Sequence, residues 1–359
     1  MIPAHVWADD LTGAAEVADL LAARTGRPVT LSLGPEAAPP ASDQVVVRDL
    51  DLRHSSDAEA RSVLAEMLAR TAATERVFLK LDSQLHGPVA GCLAAMLDGG
   101  RTTLLSVANP AMGRVTNEGI HRVVGPHGIT ATRLPALLAG VRHRVLDRHA
   151  LVSAGGAPEV LAADATDEGD LDALASAAVE HGLDLAGAAA LLAALLGSTD
   201  TVSRLVPGRG GRLIAVVGST EPVARAQIEA AAGHPRVSVV AVGPGRVADA
   251  VAAANHARRH GRDVVLARVE GADGLAALAD AAAAAIAGCD PEQTTVLLTG
   301  GHTARLVLDR LDVRSLAAVP HQAGAMVRLR APSGLTVFTK PGSYGEPDAV
   351  LTLLATDPR

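Results

Sequence analysis

The chain has 359 residues, a length at which two domains are a better expectation than a single core. Hydrophobic residues make up 48% and charged ones 20%, with a mean hydropathy of +0.25, which excludes a disordered chain; no apolar stretch reaches the roughly 18 residues of a membrane span. A net charge of −7, no basic run and almost no aromatic residues remove the footprint of a nucleic-acid binder and leave small molecules as the expected partners.

Short β-branched or apolar runs alternate with Ala/Leu-rich amphipathic stretches, the pattern of βαβ units. The expected class is α/β, with two domains, each a mostly parallel sheet flanked by helices. In the first half the expected strands are His5–Trp7, Pro28–Leu33, Gln44–Asp49, Arg76–Leu81 and Thr103–Val107, with helices over Ala14–Arg24, Asp57–Thr71 and Pro88–Leu97. Residues 125–157, rich in Gly, His and Arg, read as loop with a helix around Leu134–Gly140; helices follow near Glu168–His181 and Leu185–Leu196. Val206-Pro207-Gly208-Arg209-Gly210-Gly211 reads as a linker and sets the expected domains at residues 1–205 and 206–359. The second half restarts with strands Leu213–Val217, Val237–Val242, Asp263–Arg268 and Thr295–Leu298, and helices Pro222–Ala232, Arg246–His260, Gly274–Ile286 and Thr303–Leu311. A last strand, Thr336–Thr339, leads to a terminal helix near Asp348–Ala355.

The N-terminus shows no basic segment followed by an apolar one, so a cytoplasmic location is expected. Cys92 and Cys289 lie far apart and read as reduced structural thiols. Of 32 basic residues only two, Lys80 and Lys340, are lysines, which suggests positions where a point-charge ammonium serves and a guanidinium fork does not.

In an open parallel sheet ligands sit beyond the carboxyl ends of the strands, and the polar clusters of this sequence fall there. Asp9-Asp10-Leu11-Thr12-Gly13 follows the first strand; its carboxylates can hold a substrate hydroxyl or a metal, while Asp10 or Thr12 equally suits an ordinary helix cap. Lys80-Leu81-Asp82-Ser83-Gln84-Leu85-His86-Gly87 brings a cation and an anion to a second strand end, with Asp82 a candidate general base. Arg114, after Gly113, is a candidate clamp for a carboxylate or simply a loop arginine. In the second half, Gly218-Ser219-Thr220, Gly300-Gly301-His302-Thr303 and Lys340-Pro341-Gly342-Ser343-Tyr344-Gly345 are glycine turns able to admit phosphate oxygens to backbone N–H groups, although none is a Walker A loop and each also fits a structural turn.

Taken together, Ala8-Asp9-Asp10-Leu11-Thr12-Gly13-Ala14, Lys80-Leu81-Asp82-Ser83, Gly113-Arg114, Gly218-Ser219, Gly300-Gly301-His302-Thr303 and Lys340-Pro341-Gly342-Ser343-Tyr344-Gly345 resemble, in order, the four-carbon acid sugar kinase family. The resemblance covers almost the whole chain. It implies an N-terminal domain binding a sugar acid, a C-terminal domain binding ATP, and phosphoryl transfer across the cleft between them, usually with Mg²⁺; a homodimer is compatible with it. The implied acceptor site is Asp9, Asp10, Thr12, Lys80, Asp82, Ser83, His86 and Arg114, with Asp82 or Asp10 as the catalytic base. The implied nucleotide site is Gly218, Ser219, Thr220, Gly300, Gly301, His302, Thr303, Lys340, Gly342, Ser343 and Gly345; the metal ligands stay undetermined. The family writes Asp-Ser-Thr-Leu-Arg-Gly where this chain has Asp82-Ser83-Gln84-Leu85-His86-Gly87, so a fixed cation is replaced by a group that titrates near neutrality. The segment before Gly113 is also shortened. Two further readings follow: a kinase of the same fold with a specialised, non-tetronate acceptor, and a catalytically weak nucleotide- or ligand-binding protein.

Overall fold

A computed structural model describes residues 2–34, 44–125, 128–147, 156–197, 211–269, 271, 273–320 and 326–354. The chain divides into two compact units, one of Met1–Gly26 with Leu33–Thr201, the other of Arg27–Ser32 with Val202–Arg359.

In the first unit, parallel strands run in the order Val45–Asp49, His5–Ala8, Val77–Lys80, Asp184–Gly187, Thr103–Ser106, Val160–Ala163, His143–Leu146. Val77–Lys80 and Thr103–Ser106 are buried along their whole length, as strands covered on both faces must be. Asp10 caps the helix Leu11–Thr25, which buries Leu11, Ala14, Ala15, Ala18 and Leu21 and stops at Gly26 in the left-handed conformation. Ser56 and Glu59 form a reciprocal cap on Asp57–Leu68, and Val89–Asp98 packs tightly on that helix: a Cβ at Gly91 would lie 2.2 Å from the Asp57 carbonyl oxygen. A separate antiparallel ribbon joins Arg114–Asn117, Ile120–Gly125 and Gly128–Arg133.

In the second unit, Val237–Val242, Asp263–Arg268, Arg212–Val217, Thr294–Thr299 and Thr336–Lys340 lie parallel in that order. Val327–Arg330 and Ser315–Ala318 continue the sheet antiparallel, and Val29–Leu33 pairs antiparallel with Ser315–Ala318. Arg27–Ser32 thus groups with the second unit although it lies within residues 1–205.

Several elements differ from the sequence expectation. The helix expected over Leu185–Leu196 is a strand, Asp184–Gly187, followed by a helix, Ala189–Leu196. The unbroken apolar run Leu185–Leu196 hid the turn at Gly187, whose φ of +144° and contact with Ser106 no side chain would permit. The segment read as loop after residue 125 holds the strands Gly128–Arg133 and His143–Leu146 and only a four-residue helix, Leu134–Leu137; the first strand is exposed on both faces and therefore shows no alternation. Strands Val160–Ala163, Ser315–Ala318 and Val327–Arg330, each of four residues, were not expected from the sequence. The terminal helix is instead a 3₁₀ turn at Leu351–Leu353, and Ala355 lies outside the described residues, as do Val206–Gly210 of the linker.

Candidate functional site

Each unit gathers its sequence-predicted residues at the carboxyl ends of its own parallel strands. In the first unit the end of His5–Ala8 supplies Asp9 and Asp10, the end of Val77–Lys80 supplies Lys80, Asp82 and Ser83, and a residue not expected from the sequence, Arg53, follows Val45–Asp49. Arg53 is the hub. Its Nη1 lies 3.1 Å from Asp10 Oδ2, and its Nη2 lies 3.7 Å from both Asp9 Oδ2 and Asp82 Oδ2. The loop is held in place by the Leu52 and Arg53 N–H groups, which donate to the Asp9 carbonyl at 2.8 and 3.1 Å. The signal that would have found Arg53 is its position, a polar residue just beyond a strand neighbouring the first one.

The carboxylates differ in how they are occupied. Asp10 accepts from the Gly13 N–H at 2.8 Å and the Thr12 hydroxyl at 2.6 Å, so it caps the helix while facing Arg53. Gly13 has to be small: a Cβ there would stand 2.8 Å from Asp10 Oδ1 and 3.0 Å from Lys80 Nζ. Asp9 is 1% exposed and its Oδ1 has no hydrogen-bond partner. Burial, then the neighbouring Asp10 charge, push its carboxyl up to about 7 against the pull of Arg53 and Lys80. Asp82 goes the other way. Its burial is outweighed by the His86 hydrogen bond and by Arg53 and Lys80, which hold it well below the usual carboxylate range. Its Oδ2 accepts from His86 Nδ1 at 2.7 Å and its Oδ1 from the Gln84 N–H at 3.2 Å, fixing the turn that presents His86. Lys80 donates to the Leu81 carbonyl at 3.1 Å and pairs with Glu16 at 3.5 Å. Burial opposes its charge, but Glu16, Asp9, Asp10 and Asp82 together raise its pKa.

Arg114 opens the antiparallel ribbon and donates to the Ser83 hydroxyl, bringing it to the same cluster. His121, also unexpected, donates from Nε2 to the Ser83 carbonyl at 2.8 Å while Thr116 donates to its Nδ1 at 2.9 Å. Burial lowers its pKa, so it is a neutral buried brace for Ser83, and a lone histidine in a sequence without period carries no signal of that role.

In the second unit the ends of three neighbouring strands meet: Arg212–Val217, Thr294–Thr299 and Thr336–Lys340. Gly218 packs on Thr303, since a Cβ there would lie 2.2 Å from Thr303 Oγ1. Gly342 packs on Ser219, where a Cβ would lie 2.3 Å from Oγ. Gly300, with φ +93°, donates its N–H to the Lys340 carbonyl at 2.9 Å and leads into the helix Gly301–Arg310. That helix and Pro222–Ala232, which follows Thr220, both start without a side-chain cap, which leaves first-turn N–H groups, from Val223 onward in the second, without intrahelical partners. The Thr299 and Thr339 hydroxyls nearby are buried and without partners. Thr220, His302, Ser343 and Gly345 are exposed around this floor. Lys340 is buried, donates to the Pro341 and Tyr344 carbonyls at 3.1 and 2.9 Å, and burial alone lowers its pKa to about 8. Gln227, unexpected from the sequence, donates from Nε2 to the carbonyls of Tyr344, Gly345 and Glu346 and so pins the last turn.

Residues 4–150 match a sugar-binding N-terminal domain and residues 214–350 a nucleotide-binding C-terminal domain. No curated protein matches the sequence. Among solved structures, a Salmonella typhimurium LT2 protein described as a candidate tRNA synthase superposes with a TM-score of 0.70 at 18% identity, covering 97% of both chains. A Haemophilus influenzae protein superposes with a TM-score of 0.68 at 18% identity, covering 97% of this chain and 98% of its own. At that identity the likeness is one of fold.

Proposed function

Because the chain belongs to the four-carbon acid sugar kinase family, we propose that it is an ATP-dependent kinase that phosphorylates a hydroxyl of a short, tetronate-like sugar acid or related hydroxy acid. One observation carries the reading. A single chain combines a sugar-binding domain whose strand ends converge on Asp10, Asp82 and Arg53 with a nucleotide-binding domain whose strand ends present two uncapped helix starts beside Lys340. Such helix starts attract phosphate oxygens through their N–H groups and dipole, and a buried ammonium with carbonyl partners only gains an anion when phosphate binds. Ser219, Gly300, Gly301 and Thr303 would cradle the nucleotide, with Gly218, Gly342 and Gly345 shaping the turns; Asp10, Thr12, Ser83 and Arg114 would line the acceptor, with Asp9 buried next to Asp10.

Mg²⁺ would travel with the nucleotide. Among the described residues no group of three His, Cys, Asp or Glu side chains could hold a metal, and Arg53 already faces all three clustered aspartates. Mg²⁺ needs only one or two carboxylates beside phosphate oxygens and water. Phosphoryl transfer is mostly positioning and charge stabilisation, which a rigid, cation-centred cluster suits.

A specialised acceptor is favoured by one feature, the Asp82–His86 pair, which leaves an imidazole where a fixed guanidinium would grip a carboxylate. The test is ADP release from purified protein with ATP and Mg²⁺ against threonate, erythronate, 3-oxo-tetronate and a wider set of hydroxy and amino-hydroxy acids. Turnover on a tetronate supports the first reading. ATP binding with silence on every tetronate moves the acceptor to another hydroxy acid, and silence on all acceptors leaves a nucleotide-binding protein without kinase activity.

A further inference from the structure

We propose that His86 is the general base of this site, with Asp82 as the group that orients it; the proposal rests on the kinase reading above. It follows from asking which basic atom is open to a substrate hydroxyl. Asp10 is taken by the Gly13 N–H, the Thr12 hydroxyl and Arg53. Asp9 is sealed from solvent, its side chain 2% exposed. Asp82 is buried, its side chain 11% exposed, and clamped by His86, the Gln84 N–H and Arg53, and a carboxylate held that far below its usual range is a feeble proton acceptor. His86 is different. Its backbone N–H donates to Asp82 Oδ2 at 3.4 Å, and its side chain, 64% exposed, meets the same oxygen through Nδ1.

That tie fixes the chemistry of the other nitrogen. An ionised carboxylate only accepts, so in neutral His86 the proton sits on Nδ1 and the Nε2 lone pair faces outward. The turn makes the arrangement rigid: the Leu85 N–H donates to the Asp82 carbonyl at 2.9 Å, and Leu85 holds a left-handed φ of +64° to bring His86 back over Asp82. Three charged groups face the ring. Asp82 beneath it favours the imidazolium, whereas Arg53 from the loop after Val45–Asp49 and Arg114 from the start of the ribbon disfavour it; the Asp82 hydrogen bond dominates and raises the pKa. A histidine so poised takes up a proton readily near neutral pH and stores it as an ion pair with Asp82.

In the step, the acceptor hydroxyl loses its proton to Nε2 as its oxygen bonds to the γ-phosphorus of ATP. The bond from that phosphorus to the β–γ bridging oxygen breaks, ADP leaves with the electron pair, and the imidazolium then releases the proton to solvent.

The experiment is a pH profile of kcat/KM with the best acceptor of the panel, for wild type, His86→Ala and His86→Arg, with ATP affinity measured by calorimetry. The wild-type rate is expected to rise tenfold per pH unit on the acid side and level off above the histidine pKa. His86→Ala is expected to lose about 10,000-fold in kcat together with that limb, to keep its ATP affinity, and to regain turnover with added imidazole. His86→Arg, which keeps a cation but no base, is expected to be as slow as alanine and not to respond to imidazole. An active arginine variant without the limb would make His86 a grip for the acceptor's carboxylate, and an alanine variant that keeps the limb would remove it from proton transfer; either overturns the proposal. Absence of ADP release from wild type with every acceptor would instead overturn the kinase reading, and the base with it.

Discussion

The two lysines of the chain occupy equivalent places in the two units and live in opposite electrostatic worlds. Each sits at the carboxyl end of a parallel strand, is buried, and donates to the carbonyl of the next residue at 3.1 Å. Lys80 is surrounded by Glu16, Asp9, Asp10 and Asp82 and has its pKa raised; Lys340 meets only backbone carbonyls and is lowered to about 8. The opposite ends of the sheets are alike, since a buried aspartate, Asp184 or Asp263, accepts an N–H from the start of a neighbouring strand, from Val77 at 2.8 Å or Leu213 at 2.7 Å. Two sheets tied off the same way at one end thus diverge at the other. One carries its own anions and cations in balance, as suits a hydroxylated substrate, and the other holds a cation with no anion, as suits a phosphate that brings its own charge.

The comparison breaks most sharply at Asp82. Asp82→Asn removes the acceptor that fixes His86 and one of the three carboxyl groups that face Arg53, and is expected to lower kcat by about 1,000-fold to 10,000-fold while ATP affinity is unchanged. Loss of ATP affinity in that variant would mean that the charge cluster serves the nucleotide.

Next in size is the pH dependence that Asp9 lends the first unit. Its pKa rises from 3.8 to about 7 on folding, so the native state holds a proton that the unfolded state releases. Stability from this group is therefore full below about pH 4, is lost as pH rises to about 7, and is flat above; the loss is on the order of 4 kcal/mol. Asp9→Asn has no such loss, so the melting temperature of the variant relative to wild type is expected to climb between pH 4 and 7. A constant difference across that range would show that Asp9 is ionised throughout.

How far these features could be read from the sequence differs between the units for a physical reason. The nucleotide turns are local: Gly218, Gly300 and Gly342 each follow their own strand, and the second half's parallel strands and long helices fall close to their expected positions. The acceptor cluster is assembled from distant segments. Asp9, Asp10, Asp82 and Ser83 stood out as strand-end polar residues, but Arg53 and His121 act only through contacts at long sequence separation, which no local pattern encodes. Alternation failed where it had nothing to report, in the exposed strand Gly128–Arg133 and in the apolar run that hid the turn at Gly187.

A smaller pair of effects sharpens the division. Gly342→Ala drives a Cβ to 2.3 Å from Ser219 Oγ and is expected to weaken ATP binding by about 30-fold, roughly 2 kcal/mol, with the acceptor KM unchanged. Gly13→Ala presses on Asp10 at 2.8 Å and is expected to do the converse, raising the acceptor KM and sparing ATP. If both variants moved both constants, the sites would not be independent.

The smallest effect is a fraction of a proton. With its pKa near 8, Lys340 is about half protonated at pH 8, and a phosphate anion beside it pulls the pKa back toward its unfolded value of 10.5. ATP binding at pH 8 should then take up about half a proton, read by calorimetry in buffers of differing ionisation enthalpy. Lys340→Met should abolish the uptake. Lys80 cannot contribute, because its carboxylates keep it charged whether or not nucleotide is present. The same shift means that Lys340 detracts from stability below pH 8 and ceases to do so as pH rises from about 8 to 10.5, so the methionine variant should gain most on wild type at neutral pH. Uptake that persists in Lys340→Met would place the phosphate away from this lysine and leave the contrast between the two lysines without a functional meaning.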